Sequence, residues 1–474
     1  MTKNLKPLAI FLFTVLTAVM VISFWKVQQD DAYIFYTYAK NIASGNGYVF
    51  NLGDKLNATT SPLYTLLLAL LFFIFHNAGL TVPLIGHLIG GISIWFIAYF
   101  LVKIFEEEEF AIFIPLIFLL NPLLKNAIGM ETFLNLAFLI SSIYFYKKER
   151  FLLTSLLISL AVLSRFDSIL IAIILFTDFI IRKKKLPDYK TCLIFGAVVF
   201  QWFIFSKIYF GSLLPTTVSI KLIQQQTSFW GSGLIFLKGF ERAFLSNKII
   251  STIAIILFIV SFIFILLRKR SQLKESSTRL ILIWSSFYFI AYSFILNPPG
   301  YGWYYTPFAI VMSIIIAQAL GIILSGFFSN SIWKFLFTSA LLFLIGLVIP
   351  IKTLNGPVTP KYQNYKAAAN WLNQNAENNS SIAIDEIGVL GFYYNKGKII
   401  DILGLINPDV VPHLLNKDYF WYINYYKPDY IITDYPSPPE YSKIVFSNYF
   451  KDKYTTSVIL NAGNRETIIF RKKH

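Results

Sequence analysis

Hydrophobic residues come in long blocks along most of this chain, separated by short polar segments. Most blocks before residue 353 are close to the ~20 residues that a membrane-spanning helix needs. The pattern predicts about eleven spans, at 7–25, 79–104, 109–124, 131–146, 150–164, 167–181, 189–207, 248–267, 278–296, 304–325 and 332–352. We therefore expect a mainly α-helical, polytopic membrane protein.

One further apolar block, 62–75, is shorter than the others. Its 14 residues would extend only ~21 Å as a helix, against ~30 Å of hydrocarbon. If it does not span, the basic clusters 147–150, 182–185 and 268–274 all fall in the cytoplasm, as the positive-inside rule requires. We therefore predict a juxtamembrane or re-entrant helix at 62–75 and a cytoplasmic N-terminus. The polar segments then placed outside are 26–78, 125–130, the loop around 165, 208–247, 297–303 and everything after about 353.

The composition changes after Pro350. A helical pattern, "KYQNYKAAANWLNQNAENNSS", is followed by three strand-like segments, "IAIDEIGVLGFYY", "KIIDILGL" and "PDYIITDY". We predict two domains: a transmembrane domain, 1–352, whose first outer loop is 26–78, and a soluble α/β domain, 353–474, on the outer face.

Composition and charge narrow the function classes. With 56% hydrophobic and 14% charged residues, the chain lacks the polar surface of a soluble protein of its size. The net charge of +16 lies in short runs between spans, so it indicates topology and not a nucleic-acid partner. The single cysteine, Cys192, excludes an internal disulfide, and the four histidines are too scattered for a zinc site.

Two adjacent acids, Asp30 and Asp31, follow the first span directly. They could cap the helix predicted for "AYIFYTYAKNIAS", with Gly45 as its stop. Capping explains one acid and leaves the second unexplained. Paired carboxylates at a membrane boundary can also act as a general base on an acceptor hydroxyl, the second acid orienting it or helping to bind a metal ion. The residues alone leave both interpretations open.

The helix after this pair is amphipathic in sequence. Its apolar stripe consists of Ile34, Phe35, Tyr38 and Ile42, whereas Tyr36 and Lys40 point elsewhere. This pattern predicts a helix lying in the interface plane, which would hold the acids at headgroup depth. A reaction on a lipid-carried group would need that placement.

The whole segment "DDAYIFYTYAKNIASGNGYVFNLGDKLNATTSPLYTLLLAL" resembles the signature of the GT-C glycosyltransferases related to bacterial terminal arabinofuranosyltransferases and mannosyltransferase-like membrane proteins. The matching residues are Asp30, Asp31, Tyr33, Tyr38, Gly45, Gly47, Asn51, Gly53, Thr60, Ser61 and Pro62. Further similar segments follow in order: "GMET", "LSRFDSILIA", "GSLLPTTVSIK", "WYYTP" and "DEIGVLGFYYNKGKIIDILGL". The resemblance implies a polytopic enzyme that takes a sugar from a polyprenyl-phosphate carrier and inverts the anomeric centre.

The departures from that pattern concern the substrate more than the reaction. Arg165-Phe166-Asp167 stands where the family often has R-P-E or R-P-D, Lys40 where it often has arginine, and Thr216 where asparagine often follows the proline. The W-W-D-x-G element of oligosaccharyltransferases is missing, so transfer of a whole glycan to protein is disfavoured.

Other candidate site residues each have a simpler explanation beside the functional one. Arg165 is either a snorkelling anchor or a clamp for the carrier phosphate, and Lys221 either a solvated loop lysine or a second phosphate ligand. Glu131 is either a helix-dipole charge or a cavity wall. The side chains that could contact the sugar or the acceptor are Tyr33, Tyr38, Lys40, Glu131, Trp303, Tyr304 and Tyr305; in the tail, Asp385 and Asp401 are turn formers or acceptor-side groups.

The predicted reaction is transfer of one sugar to a hydroxyl of a cell-envelope glycan or glycolipid, outside the bacterial cytoplasmic membrane. Asp30 or Asp31 would be the base, with Asp30 preferred. No cofactor is required. Whether a divalent metal ion is bound stays open, because two adjacent aspartates without a further spaced ligand are a weak metal-binding motif. The alternatives are a flippase for lipid-linked sugars and a non-catalytic envelope assembly protein. The sugar and the acceptor also stay open.

Overall fold

The computed structural model describes residues 6–224, 233–245, 248–268, 270–327, 332–435 and 444–473. Part of the predicted outer loop 208–247 lies outside these residues. The described helices are α1 (Lys6–Phe24), α2 (Asp30–Ala43), α3 (Pro62–Phe75), α4 (Val82–Ile104), α5 (Ile114–Leu119), α6 (Thr132–Lys147), α7 (Phe151–Ser164), α8 (Ile169–Lys183), α9 (Tyr189–Phe210), α10 (Thr216–Gln224), α11 (Ile235–Leu245), α12 (Lys248–Arg268), α13 (Arg270–Leu273), α14 (Ser276–Ile290), α15 (Phe308–Phe327), α16 (Ile332–Gly346), α17 (Val348–Asn355), α18 (Pro360–Asn375), α19 (Gly388–Tyr393), α20 (Val411–Leu415), α21 (Trp421–Tyr425) and α22 (Asn448–Lys453).

Within the described residues, 6 helical stretches are long and apolar enough to cross a membrane. They are Pro7–Phe24, Val82–Ile104, Tyr189–Phe210, Ser276–Leu296, Phe308–Gly326 and the apolar start of Ile332–Asn375. Shorter apolar helices, among them Phe151–Ser164 and Thr252–Arg268, lie between them. The chain is a multi-pass membrane protein.

The span expected at 109–124 does not form one helix, so that prediction is wrong. A 3₁₀ turn (Glu109–Ile112) leads into α5, which has only 6 residues and starts with a proline in its first turn. Asn121 then caps a second 3₁₀ turn through its side chain, which accepts the amide of Leu123. Hydropathy found the apolar run, but residues such as Phe118 are buried in protein. Helix α3, in contrast, occupies the predicted range 62–75, and its relation to the bilayer stays a prediction.

The tail contains a five-stranded sheet in the order β2-β1-β3-β5-β4. Its strands are β1 (Ser380–Ile384), β2 (Gly397–Asp401), β3 (Tyr430–Tyr435), β4 (Tyr454–Ala462) and β5 (Arg465–Lys472). Strands β1, β2 and β3 are parallel, whereas β5 runs antiparallel to both β3 and β4. The predicted α/β class, the tail helix and the strands predicted in "KIIDILGL" and "PDYIITDY" are confirmed. In "IAIDEIGVLGFYY" only the start belongs to a strand, β1, and the prediction is wrong for the second half, which forms α19. The β4–β5 hairpin was not predicted.

The chain divides into two compact units that do not follow the simple order of the sequence. The first unit contains 1–27, 87–202 and 236–356. The second contains 28–86, 203–235 and 357–474, so the first predicted outer loop and the tail belong to the same unit. The predicted site residues are therefore described unit by unit.

Candidate functional site

In the second unit, Asp30 occupies the first turn of α2, whose N-cap residue is Gln29. Its carboxylate accepts two backbone N–H groups of the tail, from Gly388 and Val389, each at 2.8 Å. These amides open α19, where the positive end of a helix favours an anion. The capping interpretation of Asp30 is therefore wrong, because the carboxylate binds amides 358 and 359 positions further along the chain.

Gly388 makes this contact sterically possible. A Cβ atom at this position would overlap the backbone oxygen of Asp30 and lie 2.8 Å from its Oδ2. The glycine in "DEIGVLG" therefore allows the start of α2 to lie directly against the tail backbone.

Burial raises the pKa of Asp30 to about 8, with a further contribution from the nearby charge of Glu386. The amide of Val389 and the ammonium of Lys361 lower it again in part. Asp31, the next residue of α2, is half-buried. Since both oxygens of Asp30 are bonded to the tail backbone, Asp31 is the better candidate for contact with a substrate.

Helix α2 is more enclosed than its amphipathic sequence predicts. All residues from Ala32 to Ala39 are buried, Tyr36 included, so the expected division of α2 into an apolar and a polar face is wrong. The position of α2 in the interface plane stays a prediction. Tyr38 is completely buried, donates to the oxygen of Leu56 at 2.6 Å and accepts the amide of Ala58. Its predicted sugar contact is incompatible with this bonding, which anchors the turn after α2.

Two other α2 candidates contact the tail. Tyr33 donates to Gln28 Oε1 at 2.9 Å, and its ring lies against Phe392 with centroids 5.5 Å apart. The exposed Lys40 places Nζ 3.3 Å from the oxygen of Phe392 and 5.3 Å from the centre of its ring. Lys40 therefore remains accessible to a ligand, whereas Tyr33 is buried.

Acids at the carboxyl ends of β1 and β3 share one lysine. Lys361 of α18 pairs with Glu386 and lies 3.9 Å from Asp434, which also accepts the hydroxyls of Tyr365 and Thr467. Burial and Glu386 raise the pKa of Asp385 to about 7. Carboxyl ends of parallel strands are common ligand sites, and sequence reasoning missed the partners because they come from distant segments.

Asp401, at the end of β2, has a structural role. Its carboxylate accepts the amides of Leu403, Leu405 and Ile406 at 2.8, 2.5 and 3.2 Å, respectively. These bonds close a turn, so the simpler of its two predicted explanations holds.

In the first unit, Arg165 lies between α7 and a 3₁₀ turn, Phe166–Ser168, and is only 8% exposed. Its guanidinium donates to Glu131 Oε1 at 2.8 Å, to Asp167 Oδ2 at 2.6 Å and to the Tyr292 hydroxyl at 3.0 Å. One cation thus faces two carboxylates. We call Glu131, Arg165, Asp167 and Tyr292 the arginine cluster. Because its formal charge is negative, the cluster would repel a phosphate and does not fit the predicted phosphate clamp.

Irregular backbone positions this cluster. Tyr292 belongs to a π-helical segment, Ala291–Leu296, a rare geometry that is frequent at functional sites. Asn135 holds α6 against α7 by donating to the oxygen of Ala161 at 2.8 Å. Sequence reasoning gave no role to Tyr292; its place after the long apolar helix α14 was the available signal.

The three aromatic residues of the "WYYTP" segment, which were predicted to contact the sugar or the acceptor, have different surroundings. The ring of Tyr304 lies under Arg165, 5.4 Å from the guanidinium carbon, so Tyr304 belongs beside the arginine cluster. Trp303 stacks on Tyr301 with ring centroids 4.8 Å apart. Tyr305 is fully buried and donates to the oxygen of Phe236 at 2.7 Å, which makes it a packing residue.

Three buried oxygens at or next to the arginine cluster find no partner among the described residues. They are Glu131 Oε2, Thr132 Oγ1 and Ser293 Oγ, and Glu131 is only 2% exposed. Buried polar atoms are normally paired, so unpaired acceptors suggest a missing donor. Hydroxyl groups of a sugar are donors of the right kind.

Lys221 lies on α10 in the second unit and is half-buried. Helix α10 is held to the first loop by Thr217, whose hydroxyl donates to the oxygen of Ala58 at 2.6 Å. The described residues contain no group of three or more histidine, cysteine, aspartate or glutamate side chains placed to hold a metal ion.

Comparison with solved structures identifies the fold. ArnT from Cupriavidus metallidurans bound to undecaprenyl phosphate matches with a TM-score of 0.63, over 98% of both chains, at 10% sequence identity. The chain has the ArnT fold. The apo form of ArnT matches equally well, with a TM-score of 0.64 and 12% identity over the same share of both chains.

ArnT is a GT-C polyprenyl-phosphate-sugar glycosyltransferase, so the resemblance found in the sequence is confirmed at the level of the fold. In the tail, residues 357–468 match a family model described as a domain of unknown function, DUF8728. A search of curated protein sequences finds no match.

Proposed function

We propose that this protein transfers a single sugar from a polyprenyl-phosphate carrier to a hydroxyl of a cell-envelope glycan or glycolipid. The observation that carries the proposal is the ArnT fold over 98% of the chain, since one of the matching ArnT structures holds undecaprenyl phosphate. The acidic pair on the first loop supports it from independent, chemical grounds.

In the proposed reaction, Asp31 accepts the proton of the acceptor hydroxyl. The acceptor oxygen bonds to the anomeric carbon from the face opposite the phosphate, and the carbon–oxygen bond to the phosphate breaks. The carrier phosphate leaves with that electron pair, so the anomeric centre is inverted. No cofactor is needed for this balance.

Asp30 then serves as a positioning residue. Its two bonds to the amides of Gly388 and Val389 fix the start of α2, and so the backbone of Asp31, against the tail. This assignment reverses the preference for Asp30 as the base, because both oxygens of Asp30 already accept backbone N–H groups of the tail and are therefore not positioned to receive a substrate hydroxyl.

The three cationic candidates receive two different roles. Lys221 and Lys40, in the same unit as the acidic pair, are the side chains we assign to the negative charge of the leaving phosphate. Arg165 is assigned to the sugar instead: it orients Glu131, whose unpaired oxygen accepts a sugar hydroxyl.

The test compares Asp31→Asn, Asp30→Asn and Asp54→Asn in cells whose own gene is deleted, by mass spectrometry of envelope glycans. Asp54 is the matched control, an exposed acid of the same loop paired with Lys398 at 3.2 Å. We expect Asp31→Asn to lose the transferred sugar at least ~100-fold at normal protein abundance, the usual range for a general base.

Asp30→Asn should lower the melting temperature and the glycan yield together, whereas Asp54→Asn should change neither. A wild-type glycan from Asp31→Asn protein at normal abundance would remove Asp31 as the base. A wild-type glycan from the double variant Asp30→Asn/Asp31→Asn would refute the enzyme proposal itself.

A further inference from the structure

A groove of about 770 Å³ lies in the first unit, lined by α7, α8 and the start of α9. Its walls are mostly apolar, with Ile158, Leu175 and Phe179 among the lining residues. The side chains of Ile173 and Phe176 on α8 are 55% and 45% exposed, so the groove is open along that helix. None of the residues of the proposed reaction lines it.

The groove has the length of a lipid chain. It extends along α8 from Ile169 to Lys183, which at 1.5 Å per residue is ~21 Å. One leaflet of the hydrocarbon core is ~15 Å thick, half of the ~30 Å bilayer core. Ser155, on the groove wall, ties α7 to α9 by donating to the oxygen of Thr191 at 2.6 Å.

One end of the groove is basic. The charged residues that line the groove are Lys183 and Lys185 together with Glu149 and Asp188. Three exposed cations next to them in the chain, Arg182, Lys184 and Lys190, give this end a surplus of positive charge. Two of the cations are paired, Arg182 with Asp178 at 2.6 Å and Lys183 with Glu149 at 2.5 Å. No carboxylate of the described residues lies within 4.0 Å of Lys184, Lys185 or Lys190.

This combination is selective for one class of lipid. An apolar groove of ~21 Å, longer than one ~15 Å leaflet, accommodates an acyl chain, and a surplus of exposed cations at its end attracts a lipid whose headgroup carries a net negative charge. We propose that the groove binds an anionic glycerophospholipid of the surrounding bilayer, with its phosphate at Lys185 and the adjacent Lys184 and an acyl chain along α8. The proposal does not depend on the proposed function.

The chain offers a natural probe of this site, because its single cysteine, Cys192, is exposed and lines the groove. We suggest labelling the full-length protein at Cys192 with a thiol-reactive bimane fluorophore and reconstituting it in phosphatidylcholine bilayers. Acyl-brominated phosphatidylglycerol or brominated phosphatidylcholine is then added as a quencher at equal mole fractions. We expect the anionic lipid to quench with an apparent association roughly 3-fold stronger.

The variant Lys184→Gln/Lys185→Gln, which leaves the pair of Lys183 with Glu149 intact, should remove this preference, whereas Lys472→Gln/Lys473→Gln, with the same change of charge in the tail, should keep it. A second measurement uses unlabelled protein: native mass spectrometry should show phosphatidylglycerol retained by the wild type and lost from Ala172→Trp, which fills the groove. Equal quenching by both lipids would overturn the proposal. So would displacement of phosphatidylglycerol by undecaprenyl phosphate at equimolar amounts, since a polyprenyl lipid would then be the occupant.

Discussion

The acidic pair and the arginine cluster are built from similar residues but bonded in opposite ways. At the start of α2, a carboxylate that the sequence motif singles out is bonded to backbone amides. In the arginine cluster, a guanidinium that the motif singles out is bonded to two carboxylates and a tyrosine. In both regions the charged residue that the sequence motif singles out is already hydrogen-bonded to other residues of the protein.

The difference lies in what each arrangement leaves for a ligand. The bonds of Asp30 fix the start of α2 against the tail, and the neighbouring acid, Asp31, is the one we propose for contact with the substrate. The bonds of Arg165 hold Glu131 so that one of its oxygens stays unpaired among the described residues. A charged residue in a motif can thus act by positioning the group beside it, and the structure decides which of the two contacts substrate.

The strongest test of this comparison is Arg165→Ala. The substitution leaves the buried Glu131 and the half-buried Asp167 without their cation, which should cost about 3–5 kcal/mol of stability. We expect a large loss of folded protein in membranes, measured by abundance and melting temperature. Arg182→Ala is the control, because Arg182 is 37% exposed in its pair with Asp178 and should cost under ~1 kcal/mol. Normal abundance of Arg165→Ala would contradict the structural role of the cluster.

Gly388→Ala tests the contact of Asp30 with the tail. The added methyl group overlaps the backbone of Asp30, and the strain should cost about 2–3 kcal/mol. The melting temperature of the full-length protein should fall accordingly. Gly326→Ala serves as the control, since nothing lies within 4 Å of a Cβ atom there. Equal melting temperatures for both variants would show that the start of α2 is free to move.

Glu131→Gln sharpens the assignment of the sugar-binding group. The amide oxygen can still accept from Arg165, but the unpaired oxygen becomes an NH₂ donor. A lost hydrogen bond from a substrate hydroxyl should reduce the rate of glycan formation about 10-fold, with an unchanged melting temperature. Glu108→Gln, an exposed acid, is the control. An unchanged rate would exclude Glu131 from substrate contact.

The smallest expected effect is a pH dependence of stability. Burial raises the pKa of Asp385 to about 7 in the folded protein, against ~3.9 in an unfolded chain. The folded state therefore holds the proton more tightly, so this contribution is complete below pH ~4 and is lost as the pH rises through about 7. The melting temperature should be roughly 5 °C lower at pH 8 than at pH 5. Asp385→Asn should reduce this slope and leave the part that comes from Asp30, whose raised pKa acts over the same pH range. An unchanged slope in that variant would exclude Asp385 as a contributor.

The sequence predicted helices and strands well where a single local pattern, hydropathy or strand-like composition, determines the element. Hydropathy placed the helix at 150–164 within one residue of α7, and alternation placed the strand "PDYIITDY" on β3. It failed at 109–124, where Pro115 and Asn121 break an apolar run into short turns. Helix α2 looked amphipathic because tyrosine and lysine interrupt its stripe, yet it is buried by segments far away in sequence.

The candidate sites show the same limit. Residue types and a family-like motif were enough to select Asp30, Asp31, Glu131 and Arg165. Their bonding was not predictable, because the partners come from the tail or from other helices, and nothing local encodes those pairings. Only the three-dimensional structure distinguishes Asp30 from Asp31.

The contact between Asp30 and Gly388 also has a consequence for the order of synthesis. The two residues are separated by 358 positions. At about 5–20 residues per second, the ribosome needs roughly 20–70 s to make the partner of a carboxylate that is already outside the first apolar helix. During that interval the first loop cannot reach its final structure. Completion of the loop therefore reports that the chain has been made at least as far as Val389, and a truncated protein lacking the tail would lack a finished first loop as well.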